Sequence, residues 1–258
     1  MNSLLKKPVF KLIDFITFGK GLPRKINGIK IRFRAHWFRY FESDYEKENC
    51  AFLQRTIKPG MDILDIGAHI GFFSVIFSQL TKNSGRIVCI EPTPGTFQYL
   101  LETLKINHCK NVTPVQAAVS DKIGSATFYI SDEYEGNNSN SLVDKHPLLE
   151  MNGYEVRLET IDNIIKSFSM NPSFIKIDVE GAELDALRGG LSTFSEYKPS
   201  LILGLHPAAI QRKGDSLEAI WELLINAGYR VEENGKTLTV NEFCSRTLLF
   251  DVHCIAKK

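Results

Sequence analysis

The sequence predicts an α/β fold: a mainly parallel sheet with helices on both faces, a late antiparallel strand and a small N-terminal extension. Three observations predict it. From residue 60 onward, short apolar runs alternate with stretches of helical periodicity, the pattern of parallel strands joined by crossover helices. The first strand runs into a helix through the glycine-punctuated turn Asp65-Ile66-Gly67-Ala68-His69-Ile70-Gly71. Residues 1–40 hold ten Lys/Arg and one acid, Asp14, a balance of +9 that leaves −8 for the remainder of a chain whose total is +1.

In chain order, Leu4, Leu5, Val9, Leu12, Ile13 and Ile16 recur at helical spacing among lysines, which predicts a short amphipathic helix over 1–18. Gly19-Lys20-Gly21 and Pro23 end it. Over 25–41, Ile29, Ile31 and Phe33 alternate with Lys30, Arg32 and Arg34 after the turn Asn27-Gly28, the signature of a hairpin. The expected organisation is an extension over 1–44 and a main domain over 45–258, linked by a helix at 45–57. Strands are expected at 61–66, 86–90, 112–119, 174–178 and 200–205, each run but the third followed directly by a helix, at 71–81, 95–107, 182–189 and 216–227. Late strands at 229–232 and 248–255 are joined by a loop, so one of them is expected to run antiparallel. Strands at 126–130 and 155–158 flank a polar, turn-prone run over 136–141, where Asn140 and Ser141 are candidate substrate contacts.

Composition narrows the function. With 43% hydrophobic and 24% charged residues, the chain has ordinary globular usage, which excludes whole-chain disorder, collagen-like and coiled-coil architectures. The near-zero net charge argues against a nucleic-acid partner. Residues 25–39, basic with Phe33, Trp37 and Phe38 interleaved, are the segment that would suit one. Cys50, Cys89, Cys109, Cys244 and Cys254 are scattered without a C-x-x-C pair, which reads as free thiols in a reducing, cytoplasmic setting. No stretch reaches the roughly 20 apolar residues of a membrane span.

The turn after the first strand reads D-x-G-x-x-x-G, not the G-x-G-x-x-G of pyrophosphate binders. Gly67 permits a tight turn and Gly71 lets the following helix pack closely. Asp65, at the strand end, would repel phosphate and favour an ammonium or sulfonium group, or else cap a helix. Glu91 follows Gly71 by 20 residues at the end of the second strand, where an acid accepts hydrogen bonds from both ribose hydroxyls. A cationic amino-acid end and an unphosphorylated ribose together describe S-adenosylmethionine. Gln116, Ala117 and Asp121, around the end of the third strand, are candidates for the adenine, and His69 for the cofactor carboxylate.

Three blocks carry a family likeness: residues 59–74 (PGMDILDIGAHIGFFS); Thr160-Ile161-Asp162 followed by Lys176-Ile177-Asp178-Val179-Glu180-Gly181-Ala182-Glu183; and Leu203-Gly204-Leu205-His206-Pro207. In these the chain resembles the FkbM family of S-adenosylmethionine-dependent methyltransferases, over roughly residues 45–210. Two departures stand out: His69 replaces the usual Asn, and Gly204 holds a place where the family often has an acid. The resemblance implies a Rossmann-like class I methyltransferase sheet and methyl transfer to a hydroxyl oxygen.

Such a transfer calls for a base near the strand carboxyl ends. His206 is the preferred base, for its ordinary pKa of about 6.5, and Asp178 the partner or alternative. Glu180 and Glu183 are candidates for a polar acceptor, and Lys176 for pairing with an acid. A metal centre is not expected. The expected acceptor is a small molecule or a glycan of sugar, glycolipid or polyketide type. The basic amphipathic N-terminus suggests peripheral membrane contact, and a homodimer is compatible with it. A non-catalytic cofactor-binding module is the alternative function.

Overall fold

The strand-to-helix rhythm of the sequence is realised in a computed structural model that describes residues 3–131 and 151–257. The strands are β1 (Leu22–Ile26), β2 (Ile29–Phe33), β3 (Asp62–Ile66), β4 (Ile87–Ile90), β5 (Val112–Val115), β6 (Ala118–Val119), β7 (Gly124–Ser131), β8 (Met151–Glu159), β9 (Pro172–Ile177), β10 (Ser200–Leu205), β11 (Tyr229–Glu233), β12 (Lys236–Thr237) and β13 (Phe250–Ala256). The helices are α1 (Ser3–Ile16), α2 (Ala35–Phe38), α3 (Lys47–Thr56), α4 (Phe72–Leu80), α5 (Pro94–Ile106), α6 (Ile161–Ser167), α7 (Glu183–Arg188), α8 (Leu191–Glu196), α9 (Pro207–Arg212), α10 (Leu217–Asn226) and α11 (Val240–Cys244).

An eight-stranded sheet runs in the order β12-β11-β13-β10-β9-β3-β4-β5. Strands β5, β4, β3, β9 and β10 are parallel, and β13 lies antiparallel between β10 and β11. The late antiparallel strand is thus β13. The central strands β3, β4 and β9 are apolar almost throughout and buried, because helices cover both faces.

The single strand expected over 112–119 is two strands in two sheets. β5 pairs with β4 at the sheet edge, where Pro114 lacks an N–H to offer a further neighbour. The chain then leaves this sheet at Gln116–Ala117, and β6 joins β8 and β7 in a separate three-stranded sheet. Asn140 and Ser141 lie outside the described residues.

Residues 22–41 share a hydrophobic core with the main sheet. Ile26, Ile31, Phe33, Trp37 and Phe41 are buried with Phe72, Val75 and Phe77 of α4. Each such side chain contributes about 1.5–3 kcal/mol, so this part of the extension is welded to the sheet. The expected hairpin is present as β1 and β2, but its second arm ends at Phe33, and 35–38 turn helically so that Trp37 reaches the core. Helix α1 meets α2 by Phe10 against His36, ring centroids 5.7 Å apart. Among the described residues, no helix is long and apolar enough to cross a membrane.

Candidate active site

A cavity opens at the carboxyl ends of β3, β4 and β9, where an open α/β sheet binds its ligands. Its floor is the β3–α4 turn, with Gly67, Ala68 and His69. One side is Glu91 to Thr93; another is Ala117 to Val119; Lys176, Asp178 and Glu180 line a third. Phe41, Tyr45 and Glu46 close it from the N-terminal side. These three residues were not foreseen as site residues. The signal available in sequence was only their aromatic and acidic character beside a predicted linker helix.

Glu91 sits as expected. It is 6% exposed, and each carboxylate oxygen accepts one backbone N–H: Oε2 from His69 at 3.0 Å and Oε1 from Thr93 at 2.9 Å. The Thr93 side chain bonds this carboxylate as well, which leaves one of its roughly four acceptor positions for a ribose hydroxyl. Burial raises its pKa, partly offset by the Thr93 amide and side chain and by the His69 amide. His69 also lines the cavity, in the left-handed region at φ 51°, with Trp37 edge-on at 5.4 Å. Burial lowers its imidazole to about 4, so it is neutral.

Asp65 is placed otherwise than the charge argument predicts. It is fully buried beneath the turn, accepts a 2.5 Å hydrogen bond from Ser74 Oγ and does not line the cavity. Lys176, whose charge faces it, is its electrostatic partner. Position 65 is the penultimate residue of β3, and the pleat directs it inward. Gly71 likewise serves packing, since a Cβ there would lie 2.7 Å from Leu100 Cδ1 on α5. Gln116 and Asp121 are exposed and outside the cavity lining, Asp121 accepting from Ser120 Oγ at 3.2 Å. Of the three adenine candidates, Ala117 faces the cavity, because the chain crosses between sheets there.

The string from Lys176 to Glu183 assembles the opposite wall. Lys176 is 3% exposed and donates to Asp178 Oδ2 at 3.1 Å and to Gly67 O at 3.4 Å. Burial works against its charge, but the carboxylates of Asp178 and Asp65 outweigh burial and raise its pKa. Asp178 is held ionised: burial opposes this, and Lys176 and His206 override it. It does not cap a helix, for α7 starts only at Glu183. Glu180 lines the cavity at φ 48°, its pKa pushed up to about 9 by burial and then by Asp178, so it is a neutral hydrogen-bond donor.

Glu183 does not face a substrate. Its side chain is fully buried, with Oε1 2.7 Å from His206 Nδ1 and accepting the Gly181 N–H at 3.0 Å. His206 stands just beyond the cavity lining, Nε2 being 3.7 Å from Asp178 Oδ1. The Thr160-Ile161-Asp162 block is structural. Thr160 caps α6 by accepting the Asn163 N–H at 3.1 Å, and Asp162 Oδ1 accepts from Thr193 N at 2.9 Å and Oγ1 at 2.7 Å, tying α6 to α8.

Opposite Gly204 in the β10–β13 pairing is Asp251. Asp178 Oδ1 and Asp251 Oδ1 each lie 3.1 Å from where a Gly204 Cβ would be. At this place in the fold the chain carries an acid on β13 and none on β10. Asn49 Nδ2 donates to Asp251 Oδ2 at 2.8 Å and to Glu46 Oε2 at 2.7 Å.

The sequence profile of the Methyltransferase FkbM domain matches residues 65–231. The chain belongs to the FkbM methyltransferase family. "Methyltransferase 1" of Beauveria bassiana is 25% identical over 145 residues, covering 49% of this chain and 57% of that protein. The crystal structure of Methyltransferase FkbM from Methylobacillus flagellatus aligns over 80% of this chain and 50% of that chain at 18% identity, TM-score 0.46. A candidate rRNA methylase of Clostridium thermocellum shares the fold over 82% of this chain and 94% of that chain, at 10% identity and TM-score 0.50. The chain thus spans about half the length of these first two relatives. This FkbM chain carries a class I methyltransferase domain whose cofactor is S-adenosylmethionine. The cavity fits that donor by the chemistry of its groups: a buried, accepting carboxylate at the β4 end, an ionised carboxylate at the β9 end, and small apolar residues at the crossing between sheets.

Proposed function

We propose that this chain is an O-methyltransferase acting on a hydroxyl of a small molecule or glycan. One observation carries the reading: His206, at the end of β10, has one ring nitrogen against Glu183 and the other turned toward Asp178 at the cavity edge. S-adenosylmethionine supplies an electrophilic methyl group on a positively charged sulfur. Glu91 would hold the ribose, and the aromatic wall of Phe41, Tyr45 and Phe72 would exclude water. Asp178 orients the acceptor O–H toward Nε2 of His206, which takes the proton as oxygen bonds to the methyl carbon; a base so placed contributes about 10²–10⁴-fold.

The surface supports an acceptor with an apolar part. Leu248 and Leu249 are 80% and 62% exposed and immediately precede Phe250, whose partner is Leu205, so they leave the sheet beside His206. On α1 and just after it, Leu12, Phe15, Ile16 and Phe18 are exposed next to Lys11 and Lys20. This combination suits an anionic lipid surface and a lipid-linked acceptor.

The test is transfer of tritiated methyl from S-adenosylmethionine to separate panels of free sugars, glycolipids, hydroxylated macrolides and RNA, with the labelled atom located by mass spectrometry. Label on an alcohol oxygen is expected. Label on nitrogen or carbon, or in RNA alone, would overturn the assignment.

A further inference from the structure

We infer that Glu183 is the positioning residue that fixes His206 in the tautomer the transfer needs, with the proton on Nδ1 and the free electron pair on Nε2. The inference rests on the reading of His206 as the base. Its grounds are geometric. Glu183 opens α7 and is 0% exposed, and Oε2 has no hydrogen-bond partner among the described residues. Burying a carboxylate is costly unless a cation or donor meets it. Besides the Gly181 N–H, the group that meets this one is His206 Nδ1, at 2.7 Å.

The oxygen in that short contact, Oε1, already accepts the Gly181 N–H and so acts as an acceptor, which gives the hydrogen to Nδ1. Nε2 then carries the lone pair. It is not consumed within the protein by the facing acid, since 3.7 Å to Asp178 Oδ1 exceeds hydrogen-bond range. That gap lies at the edge of the donor cavity, where an acceptor hydroxyl would stand. The ring's backbone is also constrained: His206 is the N-cap of α9 and Pro207 follows.

The charged groups facing the ring come from three other elements. Glu183 is on α7, Asp178 follows β9 with Lys176 on its far oxygen, and Asp251 is on β13. In the transfer, the acceptor O–H bond breaks, its proton goes to Nε2, the oxygen bonds to the methyl carbon and sulfur keeps the electron pair of the broken S–C bond. The imidazolium so formed lies between the carboxylates of Glu183 and Asp178, which stabilise it. These acids also outweigh burial and raise the resting pKa of His206.

The test needs no acceptor. The full chain, labelled with ¹⁵N-histidine and saturated with S-adenosylhomocysteine, is studied by long-range ¹H–¹⁵N correlation across a pH titration, with His206→Gln identifying the signal. Wild type is expected as the Nδ1–H tautomer. Glu183→Gln, whose amide can donate to Nδ1, is expected to shift the ring toward Nε2–H and lower the His206 pKa by about one unit or more. Glu183→Asp, which keeps the charge, is expected to retain the wild-type tautomer. S-adenosylhomocysteine affinity within about twofold of wild type certifies the fold of each variant, because each variant leaves the donor cavity lining intact. An Nε2–H tautomer in wild type overturns the inference, as does Glu183→Gln with tautomer and pKa unchanged. Should Glu183→Gln fail to fold, the wild-type tautomer and Glu183→Asp decide. Full methyl transfer by His206→Ala would instead remove the base assignment while leaving the tautomer result intact.

Discussion

A Cβ atom at position 67 would lie 1.8 Å from the carbonyl oxygen of Asp178. The glycine of the β3–α4 turn is therefore spoken for by protein backbone. Its φ of +72° is a second reason for glycine. The contact seats the turn under the donor against the segment carrying the acceptor-side acid. Gly67→Ala is expected to lower unfolding free energy by about 2–4 kcal/mol, read from urea melts. Gly60→Ala, also at positive φ but with open space around it, should cost about 1 kcal/mol. Equal losses at the two sites would contradict the backbone-contact account.

Glu91 and Asp65 separate binding from support. Glu91→Ala removes the ribose acceptor and leaves the His69 and Thr93 amides without their partner. Calorimetry with S-adenosylhomocysteine should register about 10–100-fold weaker binding, the worth of one or two hydrogen bonds to a charged group. Asp65→Asn should lower the melting temperature, since Lys176 loses a buried counter-charge, with affinity staying near wild type. The opposite pattern would return Asp65 to the donor.

His253 contributes a loss of stability between pH 7 and pH 5, opposed over the same range by the raised carboxyl of Glu180. Its ring stacks on Phe52 at 3.9 Å and bonds Asn49 Oδ1 through Nε2, and burial lowers its pKa to about 4 from 6.5. With the folded value depressed, the unfolded chain takes up the proton first, so stability is complete above pH 6.5 and is lost as pH falls toward 4. At pH 5 the loss is about 2 kcal/mol. His206 is raised, so its contribution is complete below pH 6.5 and is lost only as pH rises above that value. Denaturant melts of His253→Gln should be flatter over this range by that amount; an unchanged slope would assign the effect elsewhere.

Membrane contact through α1 predicts co-sedimentation with phosphatidylserine-containing vesicles, weaker with pure phosphatidylcholine and weakened by salt. Phe15→Ser with Phe18→Ser, at residues 79% and 87% exposed, should abolish it without changing the melting temperature. Binding that ignores both lipid charge and these substitutions would refute the contact.

Much of this was legible from residue order. Apolar runs mark β3, β4, β9 and β10, because a strand covered on both faces must be apolar along its length. That one late strand runs antiparallel followed from the missing crossover helix; that it is β13, set between β10 and β11, did not. Glu91 and Asp178 were legible because they end strands at the ligand face. Asp65 and Glu183 were misread for a shared reason: an acid beside a ligand and an acid buried to hold a neighbour look the same in one dimension. Only the pleat of β3, and the fold that brings α7 to β10, tell them apart. The cavity wall from Phe41, Tyr45 and Glu46 was illegible because it depends on how residues 22–41 dock on α4. The split of β5 from β6 had a faint trace in Pro114. The helix α6 was also missed, although Thr160 three residues before Asn163 is a capping signal.

The crowding around Gly204 makes two positions mutually exclusive. An aspartate side chain there would have to pass between Asp178 and Asp251, adding a third negative charge where two already converge. In this chain the antiparallel strand supplies the carboxylate, and glycine on the parallel strand is what leaves it room. Gly204 is thus spacing for a charge held by its neighbour, a part that a reading of β10 alone could not assign to it.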